Sequence, residues 1–310
     1  MGLFYTYLGA VDTGLIWAFL ALGVYITFRL LDIADMTVDG SFATGGAVCA
    51  IAVINGIHPL IAMILATLAG FAAGAVTGFL HTKCKIPAIL AGILTQLSLY
   101  SINLRIMGGR ANLPLTGKDT LFQTLSKALD INSYYIAFVI ALLFVIAIIA
   151  ILYWYFGTES GSAVRATGNN EQMARAQGID TDKTKLIGLM IANGLVGFSG
   201  ALNALYGQAT DVRIGTGAIV IALASIVIGE VVFSGKKGGF ALRLGSIVVG
   251  SIIYRIIVAV VLQMGLNTDD LKILTAILVG IALWLPVFLS KRKEVAMYKK
   301  LTAKGGNGNA

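Results

Sequence analysis

"LDIADMTVDGSFATGG", residues 31–46, is the stretch on which the fold turns. It sets Asp32, Asp35 and Asp39 between two strongly apolar runs. If residues 32–40 were an ordinary surface loop, the next apolar run, Ser41 to Gly56, would hold only 16 residues. A helix needs about 20 to cross the hydrocarbon core. The economical reading is that the polar stretch lies partly below the membrane surface and links the parts of a broken helix, near 32–41. Irregular backbone at that depth is tolerated only where protein buries it or where it lines a cavity. Broken helices of this kind recur at transporter midplanes, with half-helix ends aimed at the solute.

The rest of the sequence suits that setting. Of 310 residues, 57% are hydrophobic and 12% are charged. The mean hydropathy is +0.87. A soluble domain would carry about twice that charge. Nine apolar runs follow one another, at 10–31, 41–57, 59–80, 87–106, 133–156, 186–207, 216–233, 244–264 and 271–290. The expected fold is an all-α, polytopic helical membrane protein with about nine transmembrane helices. Residues 1–290 would form one transmembrane domain, interrupted by long polar segments at 107–132 and 157–185. The 37 glycines allow close helix packing. No Lys or Arg precedes Arg29, so the first run is expected to stay as a span rather than serve as a cleaved signal.

The net charge of +8 does not point to nucleic acid, because the charges are placed by topology. With the C-terminus in the cytoplasm, sixteen Lys and Arg fall on inside segments and six on outside ones. That bias predicts an outside N-terminus and a cytoplasmic C-terminus. Residues 291–310 then form a basic cytoplasmic tail against anionic lipid.

The chemistry of the chain excludes several classes. Two separated cysteines and two isolated histidines give no metal spacing, disulfide framework or catalytic constellation. The G-x-x-x-x-G-K-[ST] phosphate loop is absent; "SGKKGG", 234–239, lacks its first Gly and its hydroxyl and reads as a turn. The expectation is no enzyme, no metal and no directly bound cofactor, with any ATP held on another subunit. An ion-coupled transporter would need a chain of buried acids beyond Asp35, Asp39 and Glu230.

The most informative polar piece is "GTESGSAVRATGNNEQMARAQGIDTDKTK", 157–185. Asn169 or Asn170 can cap a helix that holds Glu171 in its first turn, and Gly178 can end it. The predicted helix, about Glu171 to Gln177, carries Met173, Ala174 and Ala176 on a face. It is too short to stand alone in water and must lie against something.

Here the sequence resembles a family. Gly161, Arg165, Ala166, Gly168, Asn170, Ala174, Gly178 and Ile179 fill the pattern of the cytoplasmic coupling segment in permease subunits of bacterial ABC importers, the branched-chain amino acid and ribose type. "TVDGSFATGGAV", 37–48, and "IPAILAGILTQLSLY", 86–100, are similar to two further blocks of that family. The nearest subgroup is the one paired with lipoproteins that bind aromatic amino acids. The resemblance implies a non-catalytic permease in the bacterial plasma membrane that works beside a second copy, most simply as a homodimer. Two ATP-binding subunits would dock on the coupling segments, and an extracytoplasmic lipoprotein would deliver a small solute, an amino acid or, alternatively, a simple sugar. It assigns coupling to Arg165, Gly168, Asn170, Ala174 and Gly178, with Glu171 at the head of the helix.

For the translocation path the candidates are Thr37, Asp39, Ser41, Gln96 and Asn193. Asp32 is expected to pair with Arg29, three residues back. Asp35 and Asp39 compete to cap a helix starting near Ser41. Glu230 and Arg255 form a candidate intramembrane pair. "DMTVDGS", 35–41, is echoed by "DVRIGTG", 211–217, with five spans between them. An odd number puts the two on opposite membrane sides, as an inverted repeat requires.

Overall fold

Eight of the nine apolar runs are helices in the computed structural model. It describes residues 2–117, 120–130, 133–233 and 239–265, with 270, 273, 275–277, 279–281 and 284. Most of the ninth run, most of the 234–239 turn and the basic tail lie outside the described residues. Helix α1, Gly2–Tyr25, continues into a π-helical turn, Ile26–Leu30. The chain breaks at residues 31–36 and restarts as α2, Thr37–Ile54. Then come α3, Pro59–Thr82, and α4, Ala88–Ile106. A strand β1, Asn112–Pro114, and α5, Leu121–Leu129, precede α6, Ser133–Gly157. Two short helices follow, α7, Glu159–Asn169, and α8, Glu171–Ala176. The long α9, Thr181–Gly207, leads through β2, Ala209–Asp211, to α10, Ala218–Val232, and α11, Phe240–Gln263. Among the described residues, seven helices are long and apolar enough to cross a membrane; α10, with 15 residues, is a shorter apolar helix.

The break sits where the acidic stretch predicts it, but α2 begins at Thr37 rather than Ser41. Asp35 accounts for the difference. Its Oδ1 accepts the backbone N–H of Thr37 at 2.9 Å, so the helix starts four residues earlier. Asp32 is exposed and left-handed (φ 55°), a conformation in which Asp is tolerated better than most residues.

The packing is symmetric. Helix α9 packs on α1, α2 and α3, while α1 packs on α9, α10 and α11; α2 also touches α3, and α10 touches α11. Exchanging α1–α2–α3 with α9–α10–α11 leaves this set of contacts unchanged. Helix α4 lies on α2 and α3, and Val279 occupies the matching place, packed with Ala224 of α10 and Tyr254 of α11. The halves run in opposite directions. Ser199 donates to the Ile16 carbonyl at 2.7 Å, whereas a Cβ on Gly23, further along α1, would meet Ala192 and Val196, earlier in α9. The short echo between 35–41 and 211–217 therefore marks an inverted repeat. Asp211 even repeats the Asp35 turn, accepting the Arg213 N–H two residues on at 2.7 Å.

Helix α9 is the centre of the bundle. Gly70, Gly74 and Gly78 recur every four residues along α3 and let its backbone rest on that of α9. On the other side Gly45 of α2 meets Gly197. In lipid the apolar effect does not drive helices together, so close backbone contact of this kind holds the bundle.

Two features of the 107–132 segment were not predicted. Leu113 and its neighbours pair antiparallel with 209–211, and α5 buries Leu121 and Phe122. The Phe122 ring stands edge-on to Tyr206 at 5.9 Å, covering that end of α9.

Candidate functional site

The break between α1 and α2 organises a buried polar network. Asn193 of α9 donates through Nδ2 to Asp35 Oδ2 at 2.6 Å and accepts on Oδ1 from Ser41 at 2.6 Å. The Thr37 and Thr77 hydroxyls lie 2.6 Å apart, and Thr77 donates onward to Thr95 at 2.9 Å. Asp35, Thr37, Ser41, Thr77, Thr95 and Asn193 are all buried. The network joins the break to α9, α3 and α4. Every member has a partner, as a polar group in an apolar interior requires. Of the sequence-derived path candidates, the structure brings Thr37, Ser41 and Asn193 together around Asp35. Gln96, half-buried on α4, is not among the members of this network.

Asp39 points elsewhere. Its carboxylate accepts the N–H groups of Gly217 at 2.9 Å and Ile219 at 3.0 Å, which are the head of α10. It caps the helix of the opposite repeat, not its own. Gly215 has no side chain because a Cβ there would strike the Asp39 carbonyl. A carboxylate at a helix N-terminus satisfies orphan donors and suits the dipole.

Neither predicted charge pair forms as expected. Arg29 pairs with Glu230 across the repeats rather than with Asp32. Arg255 therefore lacks Glu230; its guanidinium lies over the Trp17 ring, 4.1 Å from the centroid. Asp12, fully buried in α1, escaped the sequence reading; among the described residues only its Oδ2 has a partner, the Tyr206 hydroxyl at 3.5 Å. Its signal was a lone acid inside the first apolar run.

At the far end of α9 the 157–185 segment forms two helices. The predicted helix is α8, with Asn170 as its cap: the side chain accepts the Met173 N–H at 2.9 Å. Gly178 follows with φ +84°, the left-handed stop that Gly permits. Glu171 is gripped by Lys185 at 2.7 Å and by Arg175 at 3.1 Å. The Lys185 hydrogen bond, more than the Arg175 charge, holds its carboxyl below the usual carboxylate range. Arg175 also reaches Thr181 at 2.7 Å and Asp182 at 3.0 Å. These contacts fix α8 against the start of α9.

The face of α8 differs from expectation. Ala174 is 3% exposed and turned into its own chain, whereas Met173 is 59% exposed. Ala176 is also exposed. The unpredicted α7 packs inward through Gly161, Val164 and Thr167, while Gly168 abuts Leu30 and Leu31 at the mouth of the break. The Arg165 guanidinium lies 5.6 Å from the Phe240 ring centroid, tying α7 to α11.

The chain matches the family model described as "Branched-chain amino acid transport system / permease component" over residues 7–289. It is 40% identical over 272 residues to the tyrosine transport system permease protein of Clostridioides difficile (strain R20291), covering 88% of each chain. An uncharacterized protein of Rickettsia prowazekii (strain Madrid E), RP368, is 32% identical over 92% of this chain and 98% of its own. The ribose import permease RbsC of Escherichia coli (strain K12) is 27% identical, over 71% of this chain and 68% of its own. No solved structure matches the chain. With a family model spanning most of its length and a multi-pass helical fold built around a broken helix, this chain belongs to the family of ABC-transporter permeases that serve branched-chain amino acids and ribose.

Proposed function

We propose that this chain forms the membrane path of an ATP-driven importer for an amino acid, with tyrosine the first candidate. The 40% identity to a tyrosine transport permease supports that solute over a simple sugar, whose relatives stand at 27%. The chain works as one of two permease copies, most simply a homodimer, in the bacterial plasma membrane. An extracytoplasmic binding lipoprotein delivers the solute. ATP is hydrolysed on two separate subunits. The N-terminus lies outside and the C-terminus in the cytoplasm, as the distribution of Lys and Arg favours.

One observation carries the coupling role: α8 is a two-turn helix held rigidly from behind, with its outer face left open. Glu171, Arg175 and the buried Ala174 hold it; Asn170 and Gly178 define its ends; Met173 and Ala176 face outward. Arg165 and Gly168 act one step back, by seating α7 beneath it. The path candidates Thr37, Ser41 and Asn193 then set the shape of the broken helix beside the path. Asp39 fixes the position of α10, and Gln96 lies beside Gly40 of α2, on α4.

The test is reconstitution with the ATP-binding subunits and the binding protein, reading ATP-dependent L-tyrosine uptake into vesicles. Met173→Glu, on the open face, should leave insertion normal and weaken ATPase assembly. An interface anchor of about 2 kcal/mol corresponds to roughly thirtyfold in affinity. Unchanged assembly in Met173→Glu would remove α8 as the docking element, and ribose uptake without tyrosine uptake would reverse the solute.

A further inference from the structure

The inverted repeat exposes a difference between the halves. In the first half, the junction of α2, α3 and α4 is closed by the bonded hydroxyls of Thr37, Thr77 and Thr95. The matching junction in the second half lies where α10 begins, beside α11 and residues 275–276. It is a cavity of about 360 Å³, lined by Thr216, Gly217, Tyr254, Arg255 and Thr275 among others. That volume lies in the range of small-molecule sites.

Two of its polar groups are unsatisfied. The Tyr254 hydroxyl and the Arg255 Nε are buried with no hydrogen-bond partner among the described residues. Tyr254 is 1% exposed. Arg255 lies eight residues before the last residue of α11, well inside the bundle. A charge at such depth is costly unless paired. The other half of this junction shows that small hydroxyl side chains suffice to fill it, so packing does not call for Arg255. Its guanidinium is held flat on Trp17, and Trp17 is itself fixed by an indole N–H bond to Asn203 at 3.2 Å. Stacking occupies the face of a guanidinium and leaves its edge donors free, the geometry suited to a carboxylate.

We propose that this cavity is an anion subsite, with Arg255 as the ligand of a carboxylate and the Tyr254 hydroxyl as a second donor. The proposal deepens the amino-acid reading above, since it gives the carboxyl group of such a solute a place in the membrane. A lipid phosphate offers the same oxygen chemistry and is separated by the test.

The full-length permease in lipid nanodiscs would be titrated with 4-hydroxyphenylacetate and with its neutral amide. We expect at least about tenfold tighter binding of the carboxylate, the effect of a charge-assisted hydrogen bond of about 1.5–3 kcal/mol. Arg255→Gln should abolish the preference, and Arg255→Lys should keep part of it. Tyr254→Phe removes only an unpartnered hydroxyl, so it should fold normally and weaken the carboxylate probe about three- to tenfold. A wild type without preference, or a preference that survives Arg255→Gln, overturns the site. So does mass spectrometry showing that Arg255→Gln sheds a retained phospholipid while probe binding is unchanged. If the preference is present but the assembled transporter imports no tyrosine, the subsite stands and the amino-acid reading falls.

Discussion

Asn193→Leu should lower the unfolding temperature of the purified permease sharply, and with it the yield of inserted protein. The substitution keeps roughly the volume but strips two partners at once, leaving Asp35 Oδ2 and Ser41 Oγ unpaired in the bundle core. Leaving a buried hydrogen-bonding group unmet costs about 1–3 kcal/mol, and more when the group is charged. Membrane hydrogen bonds average nearer 0.6 kcal/mol when the unfolded state finds other partners. The higher figure is favoured here because Asp35 cannot turn to lipid or water from its buried place. The decisive measurement is a double-mutant cycle. Adding Asp35→Leu to Asn193→Leu removes the stranded carboxylate, so the pair should lose less than the sum of the singles. Strict additivity would mean that the two side chains do not support each other.

The second large effect is expected at Asp39. Asp39→Ala strips two part-buried backbone N–H groups of their acceptor at the head of α10. Loss of a cap costs about 0.5–2 kcal/mol, and an unmet buried donor about 1–3 kcal/mol. Uptake by the assembled importer should be abolished. Asp39→Asn retains one acceptor oxygen and should keep partial uptake. Its shortfall should appear as faster hydrogen exchange at Gly217 and Ile219, read by mass spectrometry. Full activity in both variants would show that the strap between α2 and α10 is dispensable.

Much of this architecture was legible in local patterns. The apolar runs gave eight helices, because each must satisfy its own backbone in lipid. Asn170, Glu171 and Gly178 marked α8 nearly to the residue, since caps and stops act within one turn. What failed was long-range. Asp39 and its partners are 178 and 180 residues apart in sequence, and Arg29 and Glu230 are 201 apart. Nothing in the neighbourhood of an acid states which distant helix end it will meet. Ala174 was misread for a related reason. A short helix shows its small residues equally to either side, and only the Lys185 and Arg175 clamps on Glu171 decide which side turns inward.

Gly168 gives the contact between α7 and Leu30 an unusual mechanical quality. Its backbone sits directly against the Leu30 carbonyl, with no side chain between them to bend or rotate. Such a junction behaves as a hard stop rather than a spring, because close-packed atoms resist compression. A thrust delivered to the α7–α8 elbow would therefore arrive at residues 30–31 with little loss. Those residues adjoin the unwound stretch whose carboxylate holds Asn193. The chain thus contains a short pushrod, from α7 to the break between α1 and α2.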